Sequence, residues 1–185
     1  MKIRETGIVG CNIIYPDIFN DERGSFCETY NKERYIKEGA IDSGTTFIQD
    51  NLSFSAWATI RGLHFQKGEH AQAKLVSCLM GEVMDVIVDC RESSKSFGKI
   101  VIYTLDSVDK HQIFIPRGCA HGFAVISASA YFYYKCDNYY NKDAEGGILY
   151  NDEKLEIDWP FIENHRKISE KDLELPKWSK AYKFK

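Results

Sequence analysis

The sequence predicts an all-β fold, a sandwich or barrel of many short strands with a few short helices. Three observations carry this. Apolar segments of strand length recur between turn signals: Glu82–Val88, Lys99–Leu105, His111–Ile115, Gly122–Ile126 and Ala130–Tyr134. Each is too short for a helix and rich in β-branched or aromatic residues. Tyr and Phe number 11 each, and aromatic residues favour a pleated, half-buried surface. Only four prolines interrupt the chain, and spacers such as Arg91–Lys95 and Pro116-Arg-Gly118 supply its turns.

Two helical pieces fit between the strands. Asn31 is placed to cap a short helix running to Lys37, with Gly39 ending it. Ser169-Glu-Lys-Asp172 has the form of a capping box, with Asp in place of the usual Glu or Gln. Trp159-Pro160 marks an extended bend before it. At 185 residues, without repeat, low-complexity tract or linker, the chain is expected to form one domain spanning 1–185.

Composition narrows the function classes. The 24 basic and 27 acidic residues leave a net charge of −3, which excludes a generic nucleic-acid surface but not a local basic pocket. No apolar run approaches the roughly 18 residues of a membrane helix. Residues Met1–Glu5 lack the apolar run of a secretory signal. The six cysteines are scattered, without a C-x-x-C pair, and most lie in apolar surroundings. Together these features point to a cytoplasmic protein with reduced, buried thiols, neither a disulfide frame nor a zinc site.

Three clusters carry chemistry. In Arg61-Gly-Leu-His64-Phe-Gln66 the two-residue strand period puts His64 and Gln66 on one face. A histidine there is suited to abstract a proton while Arg61 and Lys74 stabilise the resulting anion. The plainer reading is a partly buried strand histidine with exposed cations around it. The second cluster, Ile115-Pro-Arg-Gly-Cys-Ala-His121-Gly-Phe, is a turn leading into a histidine at a strand start, with Gly118 permitting an unusual backbone angle. The third, Tyr131 to Tyr140, offers phenols as proton donors. Alternation puts Tyr131 and Tyr133 on one face and Tyr134 on the other. Asp172 has two possible roles, reciprocal acceptor of the Ser169 cap, worth about 1 kcal/mol, or partner of a catalytic histidine. Taken alone, its sequence context favours the cap.

The first two clusters resemble the paired motifs of the cupin superfamily, double-stranded β-helix barrels that often bind a metal. The likeness fails at the metal ligands, where Gln66 stands for the second His of His-x-His and Lys74 for a Glu. No metal and no other cofactor is expected. Taken in order, Asp21–Phe26, Phe47–Ser53, Arg61–Gln66, Ala71–Val76, Gly81–Val86, Ile115–Phe123, Tyr134-Lys135, Asn151-Asp152, Ile157–Pro160 and Ile168–Asp172 resemble the dTDP-4-dehydrorhamnose 3,5-epimerase family. The likeness runs from about Asn12 to Pro176.

This resemblance implies a cupin-type jelly-roll barrel that inverts carbons 3 and 5 of dTDP-4-dehydro-6-deoxy-D-glucose, yielding dTDP-4-dehydro-L-rhamnose. His64 matches the base, Tyr134 the proton donor and Asp172 the partner of the base, with Lys74 near the sugar ketone. Arg23, Glu28, Gln49, Asp50, Asn51, Arg61, His121, Glu145 and Lys171 match substrate-contacting positions. The family implies a homodimer that exchanges strands, so that Arg23 and Glu28 serve the partner's pocket. A relative inverting one carbon, or taking another nucleotide-linked keto-sugar, would keep the same His64, and product stereochemistry discriminates the two.

Overall fold

The computed structural model describes residues 1–185 and arranges thirteen strands mainly as two antiparallel sheets. In chain order they are β1 (Lys2–Glu5), β2 (Asn12–Tyr15), β3 (Ile18–Asp21), β4 (Gly24–Cys27), β5 (Gln49–Ala56), β6 (Ile60–Gln66), β7 (Lys74–Met80), β8 (Glu82–Asp89), β9 (Ile100–Asp106), β10 (Gln112–Ile115), β11 (Cys119–Val125), β12 (Ser129–Cys136) and β13 (Glu145–Gly147). Helix α1 (Lys32–Lys37) precedes β5, and α2 (Glu170–Leu173) lies near the C-terminus. One sheet has the order β1-β2-β10-β7-β12-β5, the other β13-β6-β11-β8-β9, and β3-β4 forms a separate hairpin. This is the jelly-roll barrel that the sequence predicts.

Strand alternation separates three apolar layers. Val83 and Ile87 of β8, Phe123 and Val125 of β11, Val76 of β7 and Phe132 of β12 meet between the sheets. Phe123 and Phe132 stack there with centroids 4.2 Å apart. Each fully buried side chain of this size stabilises the fold by about 1.5–3 kcal/mol. The opposite phase of β8 and β11, Val86, Val88, Ala120 and Ala124, packs beneath Ile148, Tyr150, Leu155 and Trp159 of the C-terminal segment. Tyr35 of α1 covers part of the six-stranded sheet with Ile14, Leu75 and Phe114, and its hydroxyl donates to Gln112 over 2.7 Å.

Both predicted helices form. Asn31 caps α1 by accepting from the Arg34 N–H, and Ser169 caps α2 by accepting from the Asp172 N–H. The predicted capping box is only half present, because the Asp172 carboxylate does not accept from the Ser169 backbone N–H and bonds to Gly62 and His64. All six cysteines are free, and all but Cys27 are buried.

Candidate active site

Strand β6 sets the first element of the site. Its alternation sends Leu63 and Phe65 into the outer apolar layer and leaves His64 and Gln66 lining a cavity, on one face as predicted. β6 runs beside β11 with His64 opposite His121, and the register shifts before Phe123. The shift needs glycine on both strands. A Cβ at Gly62 would lie 2.6 Å from the Gly122 Cα, and one at Gly122 would lie 2.6 Å from the Arg61 carbonyl oxygen. Gly62 also has φ of +115°, a region open to glycine and costly for other residues.

Asp172 reaches this strand from α2. Its Oδ1 lies 2.7 Å from His64 Nε2, and its Oδ2 accepts from the Gly62 N–H over 3.1 Å. Burial alone would raise the Asp172 carboxyl. The His64 hydrogen bond and charge, with donors from Gly62 and Ser169, outweigh it and hold the carboxyl below its ordinary value. An ionised carboxylate only accepts, so His64 carries hydrogen on Nε2. Nδ1 is then left as the basic atom.

Lys74 and Tyr134 face the same space from the other sheet. Both line, with His64 and Lys171, an outer cavity of about 560 Å³ and an inner one of about 310 Å³. The Lys74 ammonium makes no ion pair or protein hydrogen bond and sits 5.8 Å from the Tyr134 ring centroid. Burial lowers its pKa, opposed by the charges of Cys136 and Asp85. Burial raises the Tyr134 phenol, which keeps its proton in place. Tyr133 points away and donates to Asp50 over 2.9 Å.

The remaining residues divide by strand face. Gln49 and Asn51 line the outer cavity, as does Glu145, which is ion-paired with Lys171. Arg61 and His121 line the inner one, and Arg61 Nε donates to Ser55 over 3.0 Å. Three expected contacts lie outside both cavities. Asp50 sits on the outward phase of β5, 2.8 Å from the Lys135 ammonium. Arg23 pairs with Asp21 in the β3-β4 hairpin and its side chain is 85% exposed. Glu28 follows that hairpin and accepts from Asn31. The structure adds Gln72, Tyr140 and Lys142 to the outer cavity. Tyr140 and Lys142 belong to the loop before β13, and the Tyr140 N–H donates to Gln49 over 2.9 Å. Gln72 stands two residues before Lys74 next to the first sequence cluster, and Tyr140 closes the aromatic-rich run, whereas nothing in the sequence singles out Lys142.

A metal of the kind cupins often hold does not fit these donors. The Gln66 Oε1 already accepts from the Asn141 N–H, His64 Nε2 and His121 Nε2 each face a carboxylate, and Lys74 brings an ammonium to the same space. A cation there would be repelled and poorly ligated.

A cupin barrel whose mouth sets an imidazole–carboxylate pair against a phenol and an ammonium belongs to the class of proton-transferring isomerases. Comparison with known proteins makes this particular. The model of the family described as dTDP-4-dehydrorhamnose 3,5-epimerase matches residues 5–180, and the chain belongs to that family. It is 47% identical over 176 residues to the dTDP-4-dehydrorhamnose 3,5-epimerase of Salmonella typhimurium, covering 95% of this chain and 94% of that one. The crystal structure of the Elizabethkingia anophelis enzyme of that name superposes with a TM-score of 0.92 at 49% identity, covering 98% and 99% of the two chains. The Legionella pneumophila epimerase, solved in complex with dTDP-4-keto-L-rhamnose, gives 0.89 at 44% identity, covering 95% and 92%.

Proposed function

We propose that this chain epimerises dTDP-4-dehydro-6-deoxy-D-glucose at carbons 3 and 5, with His64 as base and Tyr134 as acid. The observation that carries the reading is one cavity lined by His64 paired to Asp172, by Tyr134, and by a Lys74 ammonium that makes no ion pair or hydrogen bond within the protein. Protons on carbons 3 and 5 both flank the 4-ketone. His64 Nδ1 takes one, the C–H electrons pass into the ring to form an enolate, and Lys74 stabilises the enolate oxygen. The Tyr134 phenol returns a proton on the opposite face, which inverts the carbon. Solvent then takes the abstracted proton from the His64 imidazolium and returns one to the phenolate, so both groups are restored. The second carbon repeats the sequence.

The outer cavity suits the nucleotide. Lys142, Lys171 and Arg61 supply cations for a diphosphate, and Tyr140 offers a half-exposed ring on which a base can stack. Arg23 and Glu28 serve the cavity of a second copy. Support comes from the hairpin that carries Arg23, with Phe19 and Phe26 exposed, and from Leu52, Phe54 and Tyr131 exposed on the outer face of β5 and β12. Such an apolar face suits a homodimer. A cytoplasmic site fits free thiols and a sugar-nucleotide substrate.

Incubation of the protein with dTDP-4-dehydro-6-deoxy-D-glucose in D₂O, read by NMR, tests the reaction. Deuterium at carbons 3 and 5 with the L-rhamno product is expected, before and after prolonged chelation with EDTA. Inversion at one carbon only would make it a mono-epimerase. Activity lost on chelation and restored by metal would overturn the metal-free mechanism.

A further inference from the structure

The mechanism above makes no use of Asp85. It lies on the inward phase of β8 between Val83 and Ile87, where apolar residues fill the space between the sheets. It is fully buried. Its Oδ2 lies 2.8 Å from His121 Nε2, while its Oδ1 has no hydrogen-bond partner. A charge held this way costs several kcal/mol of desolvation, so an inward carboxylate in place of a valine needs a reason.

We propose that Asp85 is a positioning residue that fixes His121 with hydrogen on Nε2, so that His121 Nδ1 accepts a hydrogen bond from a hydroxyl of the bound hexose. This rests on the reading of the inner cavity as the sugar site. An ionised carboxylate accepts only, so the hydrogen between Asp85 and His121 belongs to the imidazole. The ring cannot turn freely, because it stacks on Phe132 with centroids 5.8 Å apart and planes at 26°. The second nitrogen, Nδ1, makes no hydrogen bond within the protein. Only Tyr30 Oη and Asp85 Oδ1 are buried side-chain polar atoms without partners, so Nδ1 is open to the cavity that His121 lines.

What this adds is an acceptor where donors predominate. Arg61, Lys74 and Lys171 around the same cavity only donate. They serve a ketone and a diphosphate but cannot receive a hydroxyl hydrogen. His64 Nδ1 is needed as the base. His121 Nδ1 therefore gives a ring hydroxyl beside the 4-ketone its acceptor without competing for the reacting proton. The charge of Asp85 also favours the charged form of Lys74, against the effect of burial.

Asp85→Asn tests the assignment. In the variant the amide nitrogen donates to His121 Nε2 and its oxygen keeps the side toward Lys74, which moves the imidazole hydrogen to Nδ1. Nitrogen-15 NMR of the histidine rings should show Nε2–H for His121 in the wild type and Nδ1–H in the variant. Calorimetry with dTDP and with dTDP-D-glucose, which lacks the ketone and cannot react, isolates the hexose contribution. Binding of dTDP should be unchanged, and the gain from the hexose should fall by about tenfold or more, with kcat/KM falling alongside. His121 protonated on Nδ1 in the wild type, or an undiminished hexose gain in Asp85→Asn, would overturn the proposal. Should that variant not fold, His121→Phe keeps the stacked ring and removes the acceptor. The same loss of hexose gain is then expected, and its retention overturns the proposal. Failure of the catalytic reading shows differently, as a wild type that binds dTDP-D-glucose but does not turn over the 4-keto-sugar.

Discussion

Two histidine–aspartate pairs sit on neighbouring strands, and they differ in what the fold leaves open. His64 and His121 face each other across β6 and β11, and their contacts to aspartate are almost equal at 2.7 and 2.8 Å. The His64 side chain is 41% exposed and that of His121 only 7%. Asp172 comes from α2, far along the chain, and fills its second oxygen with the Gly62 N–H. Asp85 comes from the adjacent strand β8, and its second oxygen has no partner. The contact alone therefore does not define a base. An imidazole that must take and release protons needs access, whereas a sealed one keeps a fixed hydrogen-bonding pattern.

Replacement of His64 tests this contrast most strongly. His64→Asn should abolish deuterium uptake from D₂O at both carbons while dTDP binding persists. Uptake at the wild-type rate would mean that His64 is not the base. Asp172→Asn comes next. The amide cannot stabilise the imidazolium and reverses the tautomer, a change worth up to about 10⁴-fold in rate in the serine-protease triad. Asn supplies an acceptor for the Gly62 N–H, so the thermal midpoint should stay near that of wild type. A variant with normal turnover would return Asp172 to a structural part in α2.

That variant also marks where the sequence was legible. Ser169 was readable as an N-cap and is one. The reciprocal half of the box fails because His64 and Gly62, distant in sequence, arrive as better partners for the carboxylate. Asp85 was hidden inside the apolar strand Glu82–Val88. The one signal for it was a charge on the phase of Val83 and Ile87. Strand β5 was hard to read for the opposite reason, because its inward residues Gln49, Asn51, Ser53 and Ser55 are polar while its outward Leu52 and Phe54 are exposed. Its period of two also separates Asp50 from Gln49 and Asn51, which run together in sequence. Alternation did place Tyr134 opposite to Tyr133, as the structure has it.

The tyrosines give a smaller effect with a distinct form. Tyr134→Phe removes only the phenolic hydrogen and should lower inverted product by about 10²–10⁴-fold, the usual range for a general acid. Deuterium exchange should persist, since His64 still abstracts the proton. Tyr133→Phe loses a hydrogen bond to Asp50 near the surface and should leave turnover unchanged. The reverse pattern would place the acid on the wrong face of β12.

The weakest effect separates the two pairs by pH. Burial lowers the pKa of His121 below the ordinary 6.5, with Lys74 and His64 pushing the same way and Asp85 opposing. The unfolded chain then binds a proton more readily than the folded one. Stability from neutral His121 is fully present above the ordinary histidine value and is lost as pH falls through the folded value. Asp172 is also lowered, from 3.8, so its contribution persists to more acid pH and is lost only below that value. Between about pH 7 and pH 5 the thermal midpoint of wild type should therefore decline through His121 and not through Asp172. In His121→Asn this decline should be shallower, a difference on the order of a few degrees. Asp172→Asn should keep the wild-type slope over the same range. Equal slopes in wild type and His121→Asn would show that His121 protonates as easily in the folded chain as in the unfolded one, and the distinction between the sealed pair and the open one would fail.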